Sequence, residues 1–408
     1  MTIVRLATWV AVIFLARLCG ALETTVYCSG TDYSDGEWVR VDENSPSDNF
    51  DECIDLAGMA RSNYSLKVAA KKEDINSKYC NNTIDRPPLV EDNGFKCKLA
   101  FYFGGSTSIS ESNTTFYPKS VKYKWNPRRC KLKDWDPEDF CNLLRDRTVL
   151  FVGDSTVFQT AMTLKAMLYF HYASFNLSMS CHRHIYYAGS DRLVNRPKTN
   201  FGRGGGVTLF EAAYKLDFNI HFLILSTGYH MHPRETDVTA NVTDEAYADS
   251  FFPVLNAEIR HLVYQFKKRN IPTKIIYKTE NVGHNGCGQF AGPDNTLNHE
   301  DELVKLNAFN KYKWNYELET ETRFMRFAHS HDMDIIRMYP LYSRPDGHVI
   351  ANAPGFAVDC LHYCAPGPLN IFSRLFYHYL FVGDQWRQGE RSNYTDPPYP
   401  FYWNPRRE

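Results

Sequence analysis

A serine hydroxyl becomes a nucleophile only when a histidine takes its proton and a carboxylate orients that histidine. Two short stretches of this 408-residue chain supply the three groups. In residues 148–160, TVLFVGDSTVFQT, the apolar run Val149-Leu150-Phe151-Val152 stops at Gly153-Asp154-Ser155. The run predicts a strand, the glycine a tight turn, and the residues beyond it a helix. A serine at such a corner projects its hydroxyl over the carboxyl edge of a parallel sheet. Near the C-terminus stands Asp359-Cys360-Leu361-His362. An Asp three residues before a His can curl back to the imidazole Nδ1–H and leave Nε2 for a serine. Ser155 would then be the nucleophile, His362 the base and Asp359 its orienting carboxylate. Structural readings compete with this one: Ser155 as the cap of the following helix, and Asp359 as a turn cap beside a core histidine.

From Thr148 onward strands and helices alternate. Apolar positions Phe158, Ala161, Met162, Leu164, Ala166 and Met167 predict a helix over 157–170. Residues 207–212, 219–225, Lys274–Lys278 and 334–338 read as strands, and 253–268 and 366–381 as helices, with one long helix or two across 301–329. This alternation predicts an α/β fold, a parallel sheet covered on both faces. Ligands of such sheets bind at the carboxyl ends of the strands, where Ser155, Thr227 and Lys278 or Thr279 would emerge. The glycine-rich 201–206, FGRGGG, lacks the spacing of a phosphate-binding loop.

A net charge of −1 gives no basic surplus for nucleic acid, so partners must be argued from sites. Residues 1–21 read as a signal peptide, with an uncleaved signal anchor as the alternative: an arginine, a run of about 13 apolar residues too short to cross a bilayer comfortably, and small residues before the cleavage point. No later stretch reaches that length. Six Asn-x-Ser/Thr sequons, at Asn63, Asn81, Asn113, Asn176, Asn241 and Asn393, and ten cysteines after residue 21 point to the secretory pathway, secreted or Golgi-lumenal, with up to five disulfides. Cys181-His182-Arg183-His184 and Cys360-Leu361-His362-Tyr363-Cys364 could alternatively hold zinc. Neither has a C-x-x-C pair, so no metal and no cofactor is expected. Four regions follow: the signal at 1–21, a cysteine-rich, loop-rich region at 22–145, the α/β domain at 146–385 and a tail at 386–408. Trp125, Trp135, Tyr229 and the Arg128-Arg129 pair are placed near the carboxyl edge, as a groove that stacks sugar rings. His230, His232, His284 and His348 could line the same cleft.

Gly153-Asp154-Ser155, Ser226-Thr227-Gly228-Tyr229-His230 and Asp359-Cys360-Leu361-His362-Tyr363-Cys364 resemble successive motif blocks of the PC-esterase, or trichome-birefringence-like, family of the SGNH/GDSL hydrolase superfamily. Trp125-Asn126-Pro127-Arg128-Arg129-Cys130 and Cys28…Asp35-Gly36-Glu37-Trp38-Val39 are similar to its lead-in and opening. The resemblance implies a flavodoxin-like, three-layer α/β/α fold. It also implies transfer of an acyl group, commonly acetyl, between a donor and hydroxyls of a cell-wall or cell-surface polysaccharide, through an acyl-serine on Ser155 served by His362 and Asp359. Gly153, Asp154, Gly205, Ser226, Thr227 and Gly228 become candidates for the oxyanion hole or substrate contacts. The chain departs from the family at Ser226, where members usually carry Asn, and at Gly228-Tyr229-His230-Met231, where members usually carry a Gly-His followed by an aromatic pair. A transferase is favoured; an esterase with the same three residues and an inactive glycan-binding protein are the alternatives.

Overall fold

The computed structural model describes residues 25–40, 123–175, 181–188, 219–226, 264, 268, 270, 272–308, 314–349, 359–363 and 367–386. The signal segment, all six sequons, Cys53, Cys80, Cys97 and Cys364, and the expected strand at 207–212 lie outside them, as does nearly all of the helix expected at 253–268.

Five parallel strands form the central sheet: β3 (Val149–Val152), β4 (Ile185–Ala188), β5 (Phe222–Leu225), β6 (Lys274–Lys278) and β7 (Asp334–Ile336). Their spatial order is β4-β3-β5-β6-β7. Counted from the first strand of the sheet this is 2-1-3-4-5, the flavodoxin-like order, whose switch point lies between β3 and β5. Val149 pairs with both Ile185 and Phe222, and Val152 with Ala188 and Leu225. Every residue of β3 and β5 is buried, as expected of parallel strands covered on both sides, which read as unbroken apolar runs.

The helices are α1 (Pro137–Leu144), α2 (Ser155–Phe175), α3 (Glu300–Asn307), α4 (Glu317–Ser330) and α5 (Asn370–Val382). On one face of the sheet Val149, Phe151, Phe222, Ile224, Ile276 and Ile336 share a core with Val157, Ala161, Leu164 and Leu168 of α2 and with α5. Phe151 meets Phe372 edge-on at 5.5 Å, and Phe222 meets Phe376 at 5.8 Å. On the other face Tyr277 stacks on Phe324 of α4 at 5.3 Å. The Asp136-Pro137 start predicted for α1 is present: the Asp136 carboxylate accepts from the N–H groups of Glu138 and Asp139, and Pro137 occupies the first turn. Strand β7 ends at Ile336 rather than 338, because Tyr339-Pro340 opens a 3₁₀ turn.

Residues ahead of the sheet are tied to it covalently and by packing. Strands β1 (Gly36–Arg40) and β2 (Tyr123–Pro127) pair antiparallel, and disulfides link Cys28 to Cys130 and Cys141 to Cys181. The Cys141–Cys181 bond excludes the zinc reading of the Cys181 cluster, since a disulfide sulfur is no thiolate ligand. The expectation that Trp125 offers a ring to sugars is overturned. Its side chain is 3% exposed, its Nε1 donates to the Tyr33 carbonyl at 2.8 Å, and it sits edge-on to Trp38. Trp135 packs on Phe140 and Tyr377, while Arg128 and Arg129 both pair with Asp35. Trp125→Ala is therefore expected to cost ~3–5 kcal/mol of stability. Chemical denaturation checks this, and specific activity of the folded fraction should be unchanged.

Candidate active site

Strand β3 delivers its last residue, Val152, to the carboxyl edge at the switch point, and the chain turns through Gly153 and Asp154 into α2. A side chain cannot be accommodated at 153. A Cβ there would lie 2.3 Å from Val157 Cγ2 and 2.4 Å from the Ser226 carbonyl oxygen, so glycine is what lets the turn lie against the end of β5. The Tyr187 hydroxyl, from β4, lies 3.1 Å from the Gly153 carbonyl and 3.2 Å from that of Asp154, bracing the turn from the other side. Ser155 opens α2. Its own N–H belongs to the first turn, which has no intrahelical acceptor, and the positive end of the helix dipole reinforces it.

The second segment arrives on β9 (Asp359–Tyr363), antiparallel to β8 (His348–Val349). The segment is a short strand, and the Asp curls back to its histidine within it. The Asp359 side chain folds back along it: Oδ1 accepts from the N–H groups of Leu361 and His362, and Oδ2 lies 2.6 Å from His362 Nδ1. With that carboxylate as acceptor, Nδ1 carries the proton and Nε2 presents its lone pair. Ser155 Oγ lies 2.9 Å from Nε2. Burial raises the Asp359 carboxyl, but the hydrogen bond and charge of His362 and the two N–H donors outweigh it and hold the group below the ordinary carboxylate value. His362 and Asp359 are both partly exposed, at 13% and 24% of their side chains, so the row of three opens to solvent at one edge.

Three contacts fix β9 against the sheet. Gln159 lies one turn after Ser155 on the same face of α2. Its amide donates to the Tyr363 carbonyl at 2.7 Å and accepts from the Tyr363 N–H at 3.1 Å. Cys360, inside the Asp359–His362 segment, is disulfide-bonded to Cys287. The His284 N–H donates to the Cys360 carbonyl at 2.9 Å. The zinc reading of the Cys360 cluster is thereby excluded for Cys360.

Of the further candidates, Asp154 and Ser226 face inward. Asp154 Oδ1 accepts from both the N–H and the hydroxyl of Thr156, and Ser226 Oγ donates to Glu280 Oε1 at 3.2 Å. Both residues are buried, so neither side chain is presented to solvent. Gly205, Thr227, Gly228, Tyr229, His230 and His232 lie outside the described residues. Thr279 is buried with its hydroxyl accepting from Met338 N–H, and Lys278 is buried with Nζ donating to the Thr279 carbonyl. His284 and His348 are no cleft lining: both are buried, 2.7 Å apart from Nδ1 to Nε2, with their outer nitrogens on the Tyr342 and His362 carbonyls. Gln159 and Glu280 were not anticipated. Gln159 could have been suspected as the i+4 neighbour of Ser155, whereas nothing local marks Glu280.

The arrangement can pass a proton from Ser155 Oγ to His362 Nε2 while Asp359 stabilises the imidazolium, as an acyl transfer through serine requires. No protein-family model matches the chain. Among curated proteins it is similar to Xyloglucan O-acetyltransferase 4 of Populus trichocarpa, 23% identical over 307 residues that cover 62% of this chain and 70% of the relative. It is similar also to Probable xylan O-acetyltransferase 9 of Oryza sativa subsp. japonica, 22% identical over 324 residues, 64% of this chain and 68% of the relative. Protein trichome birefringence-like 13 of Arabidopsis thaliana is 23% identical over 333 residues, 67% of this chain and 76% of the relative. The resemblance first carried by the motif blocks thus extends over well more than half of the chain.

Proposed function

We propose that this protein transfers an acyl group, acetyl in the first instance, to hydroxyls of a polysaccharide through a covalent intermediate on Ser155. The observation that carries the reading is the unbroken hydrogen-bonded row Ser155 Oγ–His362–Asp359 at the switch point of the sheet. The relatives' names, xyloglucan and xylan O-acetyltransferases, supply the acyl group and the acceptor class.

In the first half-reaction Ser155 Oγ attacks the donor's acyl carbon as its proton passes to His362 Nε2. The Ser155 N–H, at the start of α2, faces the developing oxyanion. Collapse breaks the bond to the donor's leaving group, which departs with the proton from His362. In the second, a sugar hydroxyl gives its proton to His362 and attacks the acyl carbon, and Ser155 leaves as its alcohol. Water in place of the sugar makes the same machinery an esterase. The outcome depends on whether a bound glycan places its hydroxyl at a higher effective concentration than water can reach. Trp125 is not among the residues that bind the glycan, since its side chain is buried. A secretory-pathway setting, with residues 1–21 as signal and the sequons glycosylated, fits the disulfides.

The test supplies a small activated acetyl ester and unsubstituted xyloglucan or xylan. The expected result is O-acetylated glycan by mass spectrometry, with turnover diverted from free acetate in proportion to acceptor. Untouched acetate release in the presence of every glycan, together with ready deacetylation of acetylated ones, would give the esterase reading instead.

A further inference from the structure

Behind Ser155, where the ends of β3, β5 and β6 converge, two buried carboxyl groups flank one hydroxyl. Thr156 Oγ1 lies 2.7 Å from Asp154 Oδ1 and 3.2 Å from Glu280 Oε2. A threonine hydroxyl has one proton to donate, so it cannot serve both as a donor. Asp154 Oδ1 also accepts the Thr156 N–H at 2.9 Å, and the shorter hydroxyl contact is the one made to it. The second contact therefore needs a proton from the Glu280 side. On Glu280 itself, Oε1 is the acceptor for Ser226 Oγ, which leaves Oε2 as the protonated oxygen.

We propose that Glu280 is held as a neutral carboxylic acid that donates from Oε2 to Thr156 Oγ1, and that this bond positions the turn carrying Ser155. It joins the first turn of α2 to the end of β5, through Ser226, and to the end of β6. The functional part of the proposal rests on Ser155 being the nucleophile; the protonation state does not.

Burial favours it, since two ionised carboxylates around one hydroxyl in a dry site repel each other with little screening. Burial and the Asp154 charge raise Glu280 to about 8, against the opposing charge of Lys278 and the hydrogen bond from Ser226. The charged and titratable groups around it are Asp154 from the β3–α2 turn, Lys278 and Tyr277 from β6, and Glu321 of α4. Glu321 is engaged by Arg337 and the Tyr342 hydroxyl. When Glu280 ionises, Thr156 loses a donor, and a second negative charge appears beneath the N–H that faces the oxyanion. Glu280 is a positioning residue: it touches no reacting atom.

Above the ordinary value of 4.5 an unfolded Glu280 releases a proton that the folded chain keeps up to about 8. The native state binds more protons across that window, so this group makes stability fall as pH rises through it. The experiment compares full-length wild type, E280Q, E280A and Ser155→Ala. The amide of E280Q can donate to Thr156 and accept from Ser226. E280A should lose about tenfold or more in kcat. E280Q should restore most of it near neutral pH and lack the alkaline decline of wild type. In infrared difference spectra a protonated-carboxyl band should vanish in E280Q and E280A but remain in Ser155→Ala, and the stability slope between the two pH values should flatten in E280Q. An unchanged band, or an E280Q as impaired as E280A, overturns the proposal. Should Ser155→Ala keep its turnover, the nucleophile assignment falls instead, and the band still decides Glu280.

Discussion

Ser155→Ala should abolish both acyl transfer and labelling by a serine-directed fluorophosphonate, with a fall in kcat of about 10³-fold or more. Stability should be nearly untouched. The only side-chain hydrogen bond Ser155 makes within the described residues is to His362, and removing one hydroxyl from a partly exposed site changes stability by roughly 0.5 kcal/mol or less. The cap reading of Ser155 predicts the reverse, a helix loosened by ~1 kcal/mol with turnover intact. Thermal melts and single-turnover labelling on the same preparation separate the two, and normal labelling of the variant removes Ser155 from the chemistry.

Asp359→Asn carries the second large effect, on the order of 10⁴ in kcat, because an amide at 359 can donate to Nδ1 and turn the imidazole into the wrong tautomer. His362→Ala should be at least as damaging, and the double variant little worse than either single one, since the groups act as a unit. Losses that multiply would mean that the two residues act separately. A stability effect is expected at Asp359 as well. Its Oδ1 holds the N–H groups of Leu361 and His362, which asparagine's carbonyl can still accept and alanine cannot. Asp359→Ala should therefore unfold more readily than Asp359→Asn while both are inactive, a comparison that denaturant titration provides.

The strands that frame the site were legible because burial on both faces leaves an unmixed apolar run, as in Val149–Val152 and Phe222–Leu225. The Gly153 corner was legible because it is local. Asp359 and His362 were legible as a pair from their spacing, though the spacing did not reveal the strand that carries them. Trp125 was misread, since an indole beside two arginines has the same sequence whether it faces a glycan or the Tyr33 carbonyl. Only the pairing of β1 with β2 decides it, and that pairing joins segments far apart in the chain. Glu280 was invisible for a related reason. Its environment is built by Asp154, Thr156 and Ser226, which meet it only once β3, β5 and β6 lie side by side.

The Cys287–Cys360 bond places a covalent tether one residue from Asp359 and two from His362. A chain whose Cys287 and Cys360 thiols have not yet joined would keep Ser155 on its corner, while the proposed base and orienting carboxylate would hang on a strand that lacks its staple. On the proposed mechanism, catalytic competence would come in two instalments, the nucleophile on folding of the sheet and the proton acceptor on oxidation. Newly made chains in a reducing environment would stay silent towards any acyl donor there. Oxidation, rather than synthesis, would be the event that arms them.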